Sequence, residues 1–295
     1  MFFNRTGTRL CAIHEAAGVD ALPTACRHFP RIVLRDGRGI LISLSHFCPT
    51  AAALLFESGP LAIVDAGERL RLEDPVEGLD GRDALPPLVR PGLLSDLEGY
   101  DTWERACIDT FARPNLDWRQ ALDHIAAATE QVRMWEPGTR SLRSQVADAF
   151  ASARHEDGAD WHAQRRADET VRAFTDVEGS SGLPETDALE AAWEPTGSPD
   201  AERLDRAMRN YLAARVFGNW IAYQGRGLRT IVEWLRTCAA AVRHHARQRI
   251  VESQRTGTAR DLLESIRAAD LLLLHTIDTQ AFARQASALE GGDLR

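Results

Sequence analysis

The chain contains no lysine, and all 35 of its basic residues are arginine. That absence excludes a Schiff-base lysine, a phosphate-loop lysine and a lysine general base from its chemistry. A codon bias towards Arg, Ala, Gly and Asp accounts for the composition, and any lysine in its reaction must belong to a substrate. Long apolar runs are also missing. The leucine run Leu271 to Leu274 is far shorter than the ~20 residues a membrane-spanning helix needs, so no membrane partner is expected. No apolar leader follows Met1-Phe2-Phe3-Asn4-Arg5, which points to a cytoplasmic protein with reduced thiols. No GxGxxG follows an expected strand, and GxSxG, HExxH, the kinase set and the CxxxCxxC triplet of common radical enzymes are absent. A basic face is lacking too: the formal net charge of −8 and pI near 5.6 argue against a nucleic-acid binder.

What is present suits a globular protein able to bury its own core, with 44% hydrophobic and 26% charged residues. Residues 1–60 read differently from the rest. Arg31 to Arg35 and Ile40 to Ser45 are apolar, partly β-branched runs on either side of Asp36-Gly37, a strong hairpin cue. Residues 61–175 are loop-rich and then helical, with a short strand expected at Leu61 to Val64. Helical patterning begins near Asp101, Asp117 reads as an N-cap, and Thr139 or Ser141 starts another helix. Residues 176–199 read as a linker rich in Gly, Pro and Ser. Residues 200–295 form a C-terminal helical segment, with helices to Ile221, over Leu228–Gln254 and over Thr258–Ser287. The expected fold is mainly α, with a small N-terminal cysteine module whose β-hairpin packs on a helical body.

Three of the five cysteines lie in that module. The hairpin brings Cys26, just before its first strand, towards Cys48, just after its second, and Cys48-Pro49 opens a helix whose dipole favours a thiolate. Cys11 lies upstream. Reduced thiolates suit zinc or an iron–sulfur cluster, which normally takes four cysteine ligands. No CxxC knuckle is present, and buried free thiols are an equal reading of the spacing. His14, His28 and His46 each lie within three residues of a cysteine. Cys107 and Cys238 sit on apolar helical stripes and read as core.

The runs Cys11-Ala12-Ile13-His14, Leu22-Pro23-x-x-Cys26-Arg27-x-Phe29-Pro30-Arg31 and Ser43-Leu44-Ser45-x-x-Cys48-Pro49-x-Ala51-Ala52 resemble the cysteine-cluster family that includes flagellin lysine-N-methylase. The resemblance covers residues 10–55. It continues more weakly at Asn210-Tyr211-Leu212 and Trp220-Ile221-Ala222-Tyr223-Gln224-Gly225. The family pattern has further cysteines upstream of the position matched by Cys11, and the residues before Cys11 hold none. The resemblance implies an iron–sulfur cluster, with zinc as the alternative, held by Cys11, Cys26 and Cys48. It further implies S-adenosylmethionine as methyl donor and a lysine-bearing protein such as flagellin as partner and substrate. The activity implied is protein lysine N-methylation; the alternative is a non-catalytic zinc- or iron-binding module.

Asn210, Tyr211, Tyr223 and Gln224 are the candidate cofactor-binding residues. The first two share a helix, and the last two precede the glycine break Gly225-Arg226-Gly227, where a ligand could approach the backbone closely. A helix–helix turn with Tyr and Trp filling the core is the alternative. The adjacent His244 and His245 project about 100° apart on a helix and cannot clamp one ion together. Asp261, Glu264 and Asp270 read as an ordinary charged helix face.

Overall fold

The cysteine module is built from short elements. In the computed structural model, which describes residues 11–67, 78–153, 161–175, 199–224, 226–253 and 257–288, α1 (Ala12–Ala17) and α2 (Thr24–His28) precede the hairpin. Strands β1 (Arg31–Asp36) and β2 (Gly39–Leu44) pair antiparallel from Arg31↔Leu44 to Asp36↔Gly39. The turn is therefore Gly37-Arg38, one residue later than Asp-Gly. Asp36 itself closes the ladder, and its carboxylate accepts the Arg38 N–H at 2.8 Å. Gly39 has φ +125, a backbone region that L side chains rarely adopt. Helix α3 (Pro49–Leu54) follows with Pro49 in its first turn, as expected.

Leu61 to Val64 does not form a strand. It has no ladder partner among the described residues, and the Leu61 N–H donates instead to Asn210 Oδ1 at 2.9 Å. The strands that do form beyond the hairpin are short. Strand β3 (Leu79–Asp80) adds parallel to β1, and β4 (Leu88–Arg90) pairs with β5 (Leu93–Leu94).

The helical body starts its helices where the capping residues lie. Asp96 caps α4 (Leu97–Phe111), four residues earlier than the helical pattern suggests. Asp117 and Gln120 form a complete capping box on α5 (Trp118–Arg133). Ser141 caps α6 (Leu142–Ser152). Helix α7 (Trp161–Thr175) closes the segment 61–175, whose later part was expected to be helical. Helix α8 (Pro199–Val216) stops short of Ile221 at Gly218, whose φ is +61, and a 3-10 helix takes up Trp220–Gln224. Of the expected linker 176–199, residues 176–198 lie outside the described residues, and Pro199 already begins α8.

Helix α9 (Leu228–Ser253) is the axis of the body. Its residues 230–242 are all buried, and it packs against α5, α7, α8 and α10 (Ala259–His275). A helix apolar around most of its circumference belongs in a core. The single helix expected over Thr258–Ser287 is two. Thr258 and Asp261 box the start of α10, the chain turns at Thr276, and α11 (Thr279–Ala288) begins anew. One hydrophobic core runs without interruption from Leu55 through α4–α6 and α8–α10 to Ala286. The fold is thus mainly α, with the small hairpin-bearing module packed on helices.

Helices α4 and α6 meet at a glycine. A Cβ on Gly99 would lie 2.5 Å from Leu142 Cγ and Cδ2 and 2.7 Å from its Cβ. Alanine gains about 1 kcal/mol of helix propensity over glycine, but overpacking costs about 1–3 kcal/mol. Gly99→Ala should therefore destabilise the protein in urea melts, and a stabilised variant would contradict the close approach.

Candidate functional site

The cysteines of the module differ in placement from those of the body. Cys11 and Cys48 are half-buried residues at the starts of α1 and α3, and Cys26 is exposed in α2, whereas Cys107 and Cys238 are fully buried. All five are free thiols. The base of the hairpin does draw the flanking segments together. The Ser45 N–H donates to the Pro30 carbonyl at 2.7 Å, and the rings of Phe29 and Phe47 meet edge-on at 6.4 Å. Among the described residues, however, no three His, Cys, Asp or Glu side chains come together to hold a metal ion. Cys11, Cys26 and Cys48 therefore make no ligand set in this arrangement. His46 lies in the Asp270 cluster, its Nδ1 facing Arg215 and Asp270.

A cleft of about 350 Å³ opens beside the hairpin. Its walls are β2 from Ile42, His46, α3 with Ala51 and Leu54, the chain from Glu57 to Val64, Asn210 and Ala214 from α8, and Phe217 just beyond it. The fold makes this cleft by hanging the 55–64 segment on one side chain. Asn210 Nδ2 donates to the Leu55 and Gly59 carbonyls at 3.0 and 3.3 Å, while its Oδ1 accepts from the Leu61 N–H. A side-chain amide that satisfies three backbone groups replaces the missing strand ladder.

Beneath the cleft lies a buried polar cluster centred on Asp270. Far from standing on a charged helix face, Asp270 is 0% exposed. Its Oδ2 accepts the His46 N–H, and its Oδ1 accepts the Tyr211 hydroxyl at 3.0 Å. Arg215 brings Nη1 to 3.7 Å from Asp270 Oδ1, and its Nη2 donates to the Leu44 carbonyl at 2.6 Å. Burial works against the Asp270 charge, but Arg215 and the His46 contacts outweigh it and hold the carboxyl below the usual carboxylate range. Burial pushes His46 below its ordinary value, and Arg215 adds to that against the pull of Asp270.

A second polar cluster fixes the hairpin tip. Arg38 donates to both oxygens of Asp36, places Nη1 2.9 Å from Glu104 Oε2 and 3.5 Å from Asp101, and stacks over Tyr100. Tyr223 donates to Asp36 Oδ2 at 2.6 Å, and the Gly218 N–H donates to Glu104 Oε1 at 3.0 Å. One guanidinium thus serves three carboxylates. Asp36 is lowered because the bonds from Arg38 and Tyr223 overcome its burial. For Glu104, burial dominates over Arg38 and pushes the carboxyl up to about 7.

The expected cofactor residues therefore divide between these features. Asn210 borders the cleft, though its polar atoms are engaged by backbone. Tyr211 is fully buried below it and Tyr223 is tied to the hairpin tip, while Gln224 is half-buried at the end of the 3-10 helix. At the glycine break, the freedom of Gly227 serves the protein itself. Its φ is +95, and a Cβ there would lie 3.0 Å from Arg90 Cα and 3.1 Å from the Val89 carbonyl. The residues unforeseen in the sequence are Asp270, Arg215, Glu104 and Arg38. A signal existed for each of the first three, since a charged residue flanked by apolar neighbours on a helix is placed where burial is expected.

Removing one member of a buried charge cluster strands the others. Asp270→Ala should cost about 3–5 kcal/mol, leaving Arg215 without its counter-charge; a loss below about 1 kcal/mol in chemical denaturation would refute that role. Glu104 gives a pH signature. Its folded value of about 7 lies above the ordinary 4.5, so its contribution is fully present below pH 4.5 and is lost as pH rises through 7. Glu104→Gln keeps the acceptor but cannot ionise. Its stability relative to the native chain should rise by about 2–3 kcal/mol between pH 4.5 and 7. The opposite-signed contributions of His46, Asp36 and Asp270 are common to both proteins and cancel. A flat difference across that window would count against the buried, protonatable carboxyl.

Comparison of the chain with protein-family models, with curated proteins and with solved structures finds no match.

Proposed function

We propose that the protein is a cysteine-cluster protein acting as an S-adenosylmethionine-dependent protein lysine N-methyltransferase, with its working face on the hairpin side of the helical body. One observation carries the reading. The stretches that resemble the cysteine-cluster family, residues 10–55 and 210–225, are far apart in sequence yet are joined by direct bonds at Leu55 and Asp36 and through Asp270. Asn210 holds the chain at Leu55, Gly59 and Leu61; Tyr211 and His46 share Asp270; Tyr223 holds Asp36. Two separately recognised segments that form one face are what a common site requires.

Composition supports the substrate side. A chain of net charge −8 attracts a basic partner, and a chain without lysine cannot methylate itself at lysine. S-adenosylmethionine would supply the electrophilic methyl group. The metal-centre part of the reading rests on the resemblance of Cys11, Cys26 and Cys48 alone, because no three-ligand group forms among the described residues, and no step is routed through it.

The expected outcome is methyl transfer from labelled S-adenosylmethionine to lysine side chains of flagellin, a lysine-bearing acceptor, by anaerobically purified protein. Such protein should also be brown, with absorbance near ~400 nm, and Cys26→Ala should lose the colour and the activity together. Colourless protein with stoichiometric zinc and no transfer would favour the non-catalytic module instead. Transfer undiminished in Cys26→Ala would remove the cysteines from the reaction.

A further inference from the structure

Strand β2 is an outer strand: the sheet order is β2-β1-β3, and β1 is its one partner among the described residues. The ladder fixes which of its backbone groups face outwards. Antiparallel pairs alternate between hydrogen-bonded and non-hydrogen-bonded. The Ser45 N–H donates to the Pro30 carbonyl, so in this register Ser43 and Leu41 bond to β1, and Ile40, Ile42 and Leu44 turn their N–H and C=O groups away from it. The Leu44 carbonyl follows that direction, accepting from Arg215 of α8 at 2.6 Å. The backbone groups of Ile40 and Ile42 make no hydrogen bond among the described residues.

Edge strands are commonly guarded by charge, proline or a bulge, because a row of unpaired groups recruits a further strand. Gly39-Ile40-Leu41-Ile42-Ser43-Leu44 has no charge and no proline, and its ladder runs without a bulge. No residue of β2 is buried, and Ile40 is 54% exposed, whereas Val33 and Leu34 of β1 are 1% exposed. The cleft lies along this edge. Successive strand residues point to opposite faces, so Ile42, Ser43 and Leu44 line it together along the strand's side. Its other wall is the chain 57–64, where Ala62, Ile63 and Val64 also make no backbone hydrogen bond among the described residues.

These groups decide the class of occupant. A small apolar molecule would leave the edge unpaired, and so would a helix, whose backbone is already bonded internally. An extended chain supplies donors and acceptors at the matching spacing. The walls from Leu54, Leu55, Leu61, Ile63 and Phe217 suit apolar side chains on that chain. Glu57 and His46 are the ionisable side chains of the lining. His46 is packed into the Asp270 cluster, whereas Glu57 is exposed and favours a basic neighbour over an acidic one. A second copy fits less well, since it would bring another Glu57 and a net charge of −8 to the same edge.

We propose that the outer edge of β2, with the cleft beside it, binds an extended peptide as a further strand of the sheet, its apolar side chains in the cleft and a basic side chain beside Glu57. The inference does not rest on methyl transfer, because strand pairing is read from binding alone.

The full chain would be titrated with the peptide acetyl-Lys-Val-Thr-Val-Thr-Val-amide, following heat and amide hydrogen exchange. In the free chain the Ile40 and Ile42 amides should exchange faster than those of Leu41 and Ser43, and saturating peptide should slow Ile42 by about tenfold or more. N-methylating the three valines, or the other three residues, keeps the side chains but blocks one edge of the peptide. One of the two methylated peptides should bind about tenfold or more weakly. Glu in place of Lys should weaken binding by about threefold or more, and Glu57→Arg should reverse that preference. Ile42→Pro removes an outward N–H that the β1 ladder does not use, and should lose binding, while Ile42→Val should keep it. Should Ile42→Pro fail to fold, exchange in the native chain and the methylated peptides decide the matter. No saturable binding, unslowed exchange at Ile42, full affinity of both methylated peptides, full affinity in folded Ile42→Pro, or equal or tighter binding of the Glu peptide would each overturn the proposal. So would protection of Ile42 that grows with protein concentration alone, which is pairing of β2 between copies.

Discussion

The carboxylate of Asp270 is the point on which the N-terminal module hangs. It is a full charge with no exposure to water, and it accepts bonds from the segment after β2 and from α8 while itself belonging to α10. An isolated buried carboxylate would be expelled or protonated. Here Arg215, from the same turn region of α8 as Tyr211, supplies the opposite charge and also ties down the Leu44 carbonyl. Three chain segments are thereby held to one place by a group that cannot tolerate losing any of them. Such a cluster adds less to net stability than apolar packing of equal volume, but it specifies a unique arrangement.

The hairpin tip is secured on the same principle with a different balance. At the base, one carboxylate faces one guanidinium, and the carboxylate stays charged. At the tip, Asp36, Asp101 and Glu104 share Arg38, and the most deeply buried of them, Glu104, keeps its proton to near neutral pH. Burial sets the demand for neutralisation, and the number of cations available sets which acid yields. With base and tip both pinned, the sheet stands at a fixed distance from α8. The intervening chain 55–64 hangs from Asn210, and the cleft is the space this scaffold leaves unfilled.

That view changes the weight given to the cysteines. Cys11 and Cys48 stand at the starts of short helices and Cys26 within one, and the hairpin base brings Phe29 and Phe47 together. The thiols themselves remain apart from any three-ligand group among the described residues. The side chains this face does bring together are those of the Asp270 cluster, with His46 lining the cleft.

The amino-acid sequence by itself determined the hairpin, the capped helix starts at Asp117, Ser141 and Thr258, the burial of Cys107 and Cys238, and the mainly helical class. Each depends on residues within a few positions of one another, where turn chemistry, capping and periodicity act. Only the tertiary structure decided that Asp270 is a core residue, that Asn210 is a loop clamp, that Gly227 serves the approach of β4, and that Leu61 pairs with a side chain and not a strand. In these cases the partner lies far away in sequence: Leu61 and Asn210 are 149 residues apart, and His46 and Asp270 are 224 apart. A carboxylate on a helix looks the same in sequence whether it faces water or a buried arginine. The difference lies in desolvation and counter-charge, which exist only once the distant segments have met.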